Sequence, residues 1–220
     1  EFDGVMIGRL IKNNPFLLKE VDNKIFKEKK NKLIDEKVIH KYFEYINTKV
    51  GFESIFRLLS PLLNIFFSVP NSKIYKSRIN DYMSEWIADK LILNMAKASI
   101  NISAAKILVL GFTFKENCPD IRNSKVFEII EELKKWNIDI VAHDSWADSK
   151  EVLQNYDITL GAIDENNKVD SLIVAVGHNE YRAFSPEILR SFCKTETPVI
   201  SDVKSLYDKK DLEKLGFDVF

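Results

Sequence analysis

Between Lys106 and Phe220, short apolar runs alternate with stretches of mixed polarity, and this alternation predicts strands separated by helices. The runs are KILVLGF (106–112), DIVAHD (139–144), DSLIVAVG (170–177), PVISDV (198–203) and a last short FDVF. Near-continuous apolar strands belong to a sheet buried on both faces. The covering helices are expected at 123–136, near 148–155, at 185–193 and at 208–215. The expected fold is α/β, a Rossmann-like, doubly wound parallel sheet over about 104–220, preceded by a helical segment.

Upstream the period changes. FDGVMIG (2–8) reads as a short strand ended by Gly8, with Asn14 and Pro15 opening a helix. DEKVIHKYFEYINTKV places Val38, Tyr42, Tyr45, Ile46 and Val50 near one helical face, and FESIFRLLSPLLNIFF gives a more apolar helix pair around Pro61. SVPNSK (68–73) reads as a turn. RINDYMSEWIADKLILNMAKAS (78–99) repeats Ile79, Met83, Ile87, Leu91 and Met95 every four residues, as a helix linking two modules does. The expected divisions are 1–76, a strand plus helical module; 77–103, a connecting helix; and 104–220, the α/β domain.

Charge separates the same parts. Within a net charge of −1, residues 1–77 carry 14 Lys/Arg against 9 Asp/Glu, and the remainder 18 against 24. A basic module suits a phosphate-rich partner, although lysines such as those of KIFKEKKNK (24–32) also serve as a solvated face. Two cysteines, Cys118 and Cys193, make no disulfide framework and no metal-ligand spacing, so a cytoplasmic setting is expected. The most apolar run, 52–69, is broken by Arg57, Pro61 and Asn64, so no membrane span is expected. A chain opening on EFDGVMIG without an initiator methionine reads as a fragment.

The candidate chemistry lies in GFTFKENCPDIRNSK (111–125), between the first strand of the sheet and its helix. Open parallel sheets collect ligands there, but a dinucleotide turn needs several glycines close to the helix, and Gly111 stands alone. A standard NAD site is not expected. Lys115 offers a mobile point charge and Arg122 a planar fork for a diphosphate or carboxylate, with Asp120 able to orient that fork. The alternatives are that Asp120 and Arg122 pair and merely brace the loop, and that Lys115 is a solvated surface charge. Asp144, beside His143 at a strand end, has the ribose-gripping position of dinucleotide folds or a loop-capping role. His178 and Arg182 follow another strand end, facing a ligand or bonded within their loop. His40 is expected at the surface, Trp86 and Trp136 in packing, Trp146 over a sheet edge, and Cys193 as a small buried hydrophobe.

KILVLGFTFKENCPDIRNSKVFEIIEELKKWNIDIVAHDSWAD, with VAVGHNEYR (174–182) and VISDVKSLYD (199–208), resembles the C-terminal domain of the UDP-glucose/GDP-mannose dehydrogenase family, in the branch that oxidises UDP-N-acetylhexosamines. The carrying string is Gly111, Thr113, Phe114, Lys115, Asp120, Arg122 and Ser124. The resemblance begins near 77–83 and implies a lobe closing over a UDP-sugar in polysaccharide precursor synthesis, in an NAD-dependent enzyme; a homodimer is a further expectation for this chain. It places Lys115 at the sugar–diphosphate, Arg122 as shaping the loop beside Asp120, and Lys204 as a second contact near the nucleotide. The family's NAD-binding glycine motif and catalytic cysteine motif have no counterpart in this sequence. Cys118 lies in the wrong context to be the thioester nucleophile, and this chain alone is not expected to catalyse the oxidation.

EFDGVMIGRLIKNNPFLLKEVD resembles the last barrel strand of the tRNA-dihydrouridine synthases, and residues 37–76 their helical tRNA-binding module. That resemblance puts Gly8 and Arg9 at the FMN-phosphate position, with the rest of the barrel missing. The joint falls at about 72–79, as in a fusion of gene fragments. Three readings follow: a UDP-sugar-binding domain, a tRNA-binding fragment, or a ligand-free structural remnant.

Overall fold

The computed structural model describes residues 24, 27, 35–49, 53, 55–66, 70–164 and 166–220. The chain divides into two compact units, Glu1–Asn80 and Asp81–Phe220. In the first, α1 (Asp35–Lys49) and α2 (Ile55–Leu59) are followed by a 3-10 turn, Ser60–Asn64, with Pro61 in its first turn. The missing N–H of Pro61 removes an α-helical bond, so the expected helix pair becomes one helical turn and a tighter one. The expected apolar face of α1 is only partly the buried one. Ile46 is 4% exposed, but Val38 and Tyr45 are 38% and 48% exposed. Tyr42 instead reaches out through its hydroxyl, which donates to the Leu58 carbonyl at 2.6 Å.

The long helix α3 (Ser72–Lys97) starts six residues before the sequence pattern placed it. Of the expected turn at 68–73, Ser72 and Lys73 belong to the helix, Pro70 and Asn71 form a turn, and Ser68 and Val69 lie outside the described residues; Asn71 adopts a left-handed φ of 65°, which its short polar side chain tolerates. Met83, Ile87, Leu91 and Met95 form the buried stripe that their spacing predicts. Among the described residues no helix is long and apolar enough to cross a membrane.

In the second unit the chain alternates β1 (Lys106–Leu110), α4 (Lys125–Lys134), β2 (Asp139–His143), α5 (Ser149–Tyr156), β3 (Ser171–Val174), α6 (Asn179–Arg182), α7 (Pro186–Ser191), β4 (Val199–Asp202), α8 (Lys209–Lys214) and β5 (Asp218–Val219). The sheet is parallel throughout, in the order β2-β1-β3-β4-β5. The doubly wound fold expected from the sequence is therefore present, and its switch point lies between β1 and β3. On one face Leu108, Leu110, Leu172, Val174 and Ile200 pack with Tyr181, Leu189, Phe192, Leu212 and Phe217. The side-chain alternation of a strand sends the fully buried Ile107, Val109 and Ile173 to the other face. α4, which buries Val126, Ile129, Ile130 and Leu133, is tied to α3 by Ser84 donating to Glu128 and by Lys125 paired with Asp81.

The register levels the carboxyl ends of four strands. Leu110 lies opposite both His143 and Val174, and Val174 lies opposite Asp202. Every loop that could carry a site leaves from this row. The first leaves through Gly111, at φ 94°, where an added Cβ would stand 2.4 Å from the Val176 Cβ and 2.9 Å from the Val176 backbone nitrogen. Glycine is required both for the left-handed φ and for the close approach of two backbones. Gly111→Ala is expected to cost about 3 kcal/mol or more. A urea midpoint unchanged from wild type would contradict this.

Candidate functional site

The loop from Gly111 to Ser124 is a strap held at both ends. At its start, Phe112 is buried against Tyr156, with ring centroids 5.3 Å apart. At its far end Ile121 is buried, and its carbonyl accepts from the Tyr156 hydroxyl at 2.8 Å. Ser124 caps α4 by accepting from the Val126 N–H, while its own hydroxyl donates to the Phe112 carbonyl and so pins the helix start to the strand end. Between these anchors the chain is exposed at Phe114 and Lys115.

Beneath the strap sits the buried carboxylate of Asp144, just past β2. Its Oδ2 accepts the N–H groups of Phe112 at 2.6 Å and Thr113 at 2.9 Å. Its Oδ1 accepts those of Trp146 at 2.8 Å and Ala147 at 3.1 Å. His178 Nε2 lies 3.0 Å from Oδ2. Burial pushes the Asp144 carboxyl up, but hydrogen bonds from His178 and the N–H groups of Phe112, Thr113 and Trp146 outweigh it and hold the group well below the carboxylate range. In a dinucleotide fold the amides after the first strand meet a pyrophosphate. Here a carboxylate of the chain itself occupies them. Of the two readings of Asp144, the structure gives the loop cap.

His178 extends this network to the top of the strap. It is fully buried, its Nδ1 accepts the Asn117 N–H at 2.9 Å, and Trp146 stacks over its ring. With Nδ1 accepting, the ring proton belongs on Nε2, toward Asp144 and the Thr113 hydroxyl at 3.1 Å. The Asn117 amide donates to the Asn179 side chain at 3.1 Å and accepts the Asn179 N–H at 3.0 Å. These bonds tie the strap to the loop after β3, across the switch point. His178 thus serves its loop, as one of its two readings had it. Asn117 and Asn179 went unnoticed in the sequence, where the only signal was an Asn beside each strand-end loop.

The candidate ligands fall into two groups. Arg122 and Asp120 face each other, Nε to Oδ1 and Nη2 to Oδ2, both at 2.9 Å, with the Arg122 N–H on Oδ1 at 3.0 Å. These bonds lower the Asp120 carboxyl to about 2, the side-chain bond from Arg122 contributing most. Asp120 also closes the strap's neck, its carbonyl accepting the Phe114 N–H at 2.7 Å. The guanidinium's donor edge is thus turned onto the loop. Lys115 is different: it is exposed, and among the described residues its ammonium makes no ion pair or hydrogen bond. Lys204 lies in the loop after β4, two strand spacings or about 10 Å from β1.

In that same loop Asp202 is a second buried carboxylate of opposite character. Its Oδ2 accepts the Tyr207 N–H at 2.9 Å, but Oδ1 is buried without a hydrogen-bond partner. Burial therefore prevails over the backbone N–H groups of the 204–207 turn and raises its carboxyl above the usual range. Of the other singletons, Cys193 is buried and its thiol pushed up to about 12, while Trp136 is about half exposed and does not pack as expected. Arg182 donates from Nε to the Gly177 carbonyl at 3.0 Å. Gly8 and Arg9, the expected FMN-phosphate residues, lie outside the described residues, as do all of the lysines of 24–32 except Lys24 and Lys27.

Residues 108–209 match the UDP-glucose/GDP-mannose dehydrogenase family, UDP binding domain. Over 133 residues the chain is 38% identical to a UDP-N-acetyl-D-glucosamine 6-dehydrogenase of Salmonella typhi, covering 60% of this chain and 30% of that protein. Over 137 residues it is 37% identical to the Pseudomonas aeruginosa enzyme of the same name, covering 61% and 32%. The chain thus spans under a third of the length of these relatives. Among solved structures, an NDP-N-acetyl-D-galactosaminuronic acid dehydrogenase from Methanosarcina mazei Go1 superposes with a TM-score of 0.60 at 16% identity, over 82% of this chain and 36% of that one. At that identity the likeness concerns the fold.

The two buried carboxylates should respond to pH with opposite signs. Asp144, depressed in the folded state, contributes stability above its unfolded value of about 3.9 that is lost as pH falls toward its folded value. Asp202, raised in the folded state, favours folding in acid, and that contribution is lost as pH rises from about 3.9 through its folded value. Asp144→Asn is expected to cost about 3 kcal/mol at neutral pH, and Asp202→Asn under about 1 kcal/mol. Urea midpoints should show the Asp144→Asn deficit shrinking from about pH 7 to about pH 3. Equal deficits at both pH values, or a larger one for Asp202→Asn at neutral pH, would contradict this assignment.

Proposed function

We propose, from the match of residues 108–209 to the UDP binding domain of the UDP-glucose/GDP-mannose dehydrogenase family, that this chain supplies the nucleotide-sugar lobe of a UDP-N-acetylhexosamine 6-dehydrogenase. One observation carries the reading. The strap's inner amides are engaged by Asp144, while its outer surface presents Lys115, an exposed cation whose ammonium makes no ion pair or hydrogen bond among the described residues and acts on the Asp120 carboxylate only through space. A mobile ammonium over a rigid loop is suited to a diphosphate, whose charge it meets in a charge-assisted bond. Lys204, in the loop after β4 on the same row of strand ends, is the second cationic contact. Asp120 and Arg122 hold the strap's neck and act on the ligand through Lys115.

NAD is the oxidant such an enzyme uses, and the described residues of the loop after β1 do not fit it. The amides after β1 are taken by Asp144 and the turn has one glycine, so no hydride step is derived from these residues. The role that follows is UDP-sugar binding in polysaccharide precursor synthesis.

A ligand bound only by the folded chain raises its melting temperature, by an amount equivalent to about 2.7 kcal/mol at a hundredfold excess over Kd. UDP and UDP-N-acetylglucosamine are expected to raise the melting temperature and NAD to leave it unchanged. Lys115→Ala should weaken UDP binding by roughly tenfold or more. A shift with NAD equal to that with UDP, or unaltered affinity in Lys115→Ala, would contradict the proposal.

A further inference from the structure

We propose that His178, which the ligand does not touch, is a positioning residue for Lys115 and sets the affinity of the site through its Nδ1 atom. The inference rests on the nucleotide reading of Lys115 given above. Lys115 is fixed from both sides by groups that converge on one imidazole. On the N-terminal side the Thr113 hydroxyl, 3.1 Å from His178 Nε2, donates to the Lys115 carbonyl at 3.2 Å. On the C-terminal side the Asn117 N–H donates to His178 Nδ1 at 2.9 Å. The ring is fully buried, stacked under Trp146 and bonded to the Asp144 carboxylate, so it moves little and hands its fixed position to the strap.

Asn117 also adopts a left-handed φ of 53°, a conformation that asparagine tolerates and that local hydrogen bonds favour. The His178 acceptor and the reciprocal amide pair with Asn179 supply such bonds. A lysine ammonium has a long and flexible stem, so the place from which the stem departs determines how much of its freedom is lost on binding. Fixing the backbone at 113–117 lowers that loss without adding any contact to the ligand.

The two ring nitrogens allow the roles to be separated. Asn at position 178 places an amide oxygen near the Nδ1 position and keeps the acceptor for the Asn117 N–H. Gln places its amide near the Nε2 position, keeping the donor to Asp144 and losing that acceptor. Calorimetric titration of the 220-residue chain with UDP should find His178→Gln weakened by roughly tenfold and His178→Asn by less than about threefold. In a Lys115→Ala background His178→Gln should add almost nothing, because its effect passes through Lys115. Equal losses in the two variants that follow their melting temperatures, or a full loss persisting without Lys115, would overturn the inference and leave His178 a packing residue. No UDP binding by wild type, or none that depends on Lys115, would overturn the site reading and this inference with it. Wild-type hydrogen exchange provides a check that needs no variant: the Asn117 amide should be protected although the strap around it is exposed. Exchange at the rate of an open loop would count against the proposal.

Discussion

The Asp144 carboxylate is the anion around which the carboxyl end of this sheet is organised. It receives five hydrogen bonds, from three sequence regions that meet only in the folded chain. A buried carboxylate without such donors would be too costly to ionise, and backbone amides at a strand end without an acceptor would be costly too. Each satisfies the other. The strand-end amides that bind phosphate in dinucleotide folds are thereby closed to a ligand, and the strap after β1 is turned outward.

That closure explains where the candidate site lies. With its inner side bound to Asp144 and His178, the strap can meet a ligand only with its outer surface, where Phe114 is 56% exposed and Lys115 carries the charge. Asp120 and Arg122 are equally exposed to attention in the sequence, yet they face one another. Their pairing stiffens the neck of the strap, and little stability is assigned to it because the Arg122 side chain is 80% exposed. The levelled strand ends bring Lys204 onto the same rim by way of a different strand.

Much of this fold was legible in the sequence because its signals are local. Strands β1 to β4 are apolar runs bounded by polar residues, and the buried stripe of α3 is a four-residue repeat. Lys115 stood out as a cation in a strand-end loop. What could not be decided from the sequence was non-local. Asp144 and His178 engage partners 31 to 65 positions away, so no spacing rule could separate a ribose-gripping acid from a loop cap. The early start of α3 and the exposure of Val38 and Tyr45 were missed because propensity and period show which face is apolar, and only packing decides which part of it is covered. The short helix α6 has too few residues for a period to show.

The most direct test follows backbone amide resonances while UDP is added to the chain. If the carboxylate of Asp144 permanently fills the inner anion position, the amides of residues 114–116 and 204–205 will shift with ligand, while those of Phe112 and Thr113 stay in place. If Phe112 and Thr113 shift most, a phosphate has displaced the Asp144 carboxylate, and the account of an outward-facing site is wrong.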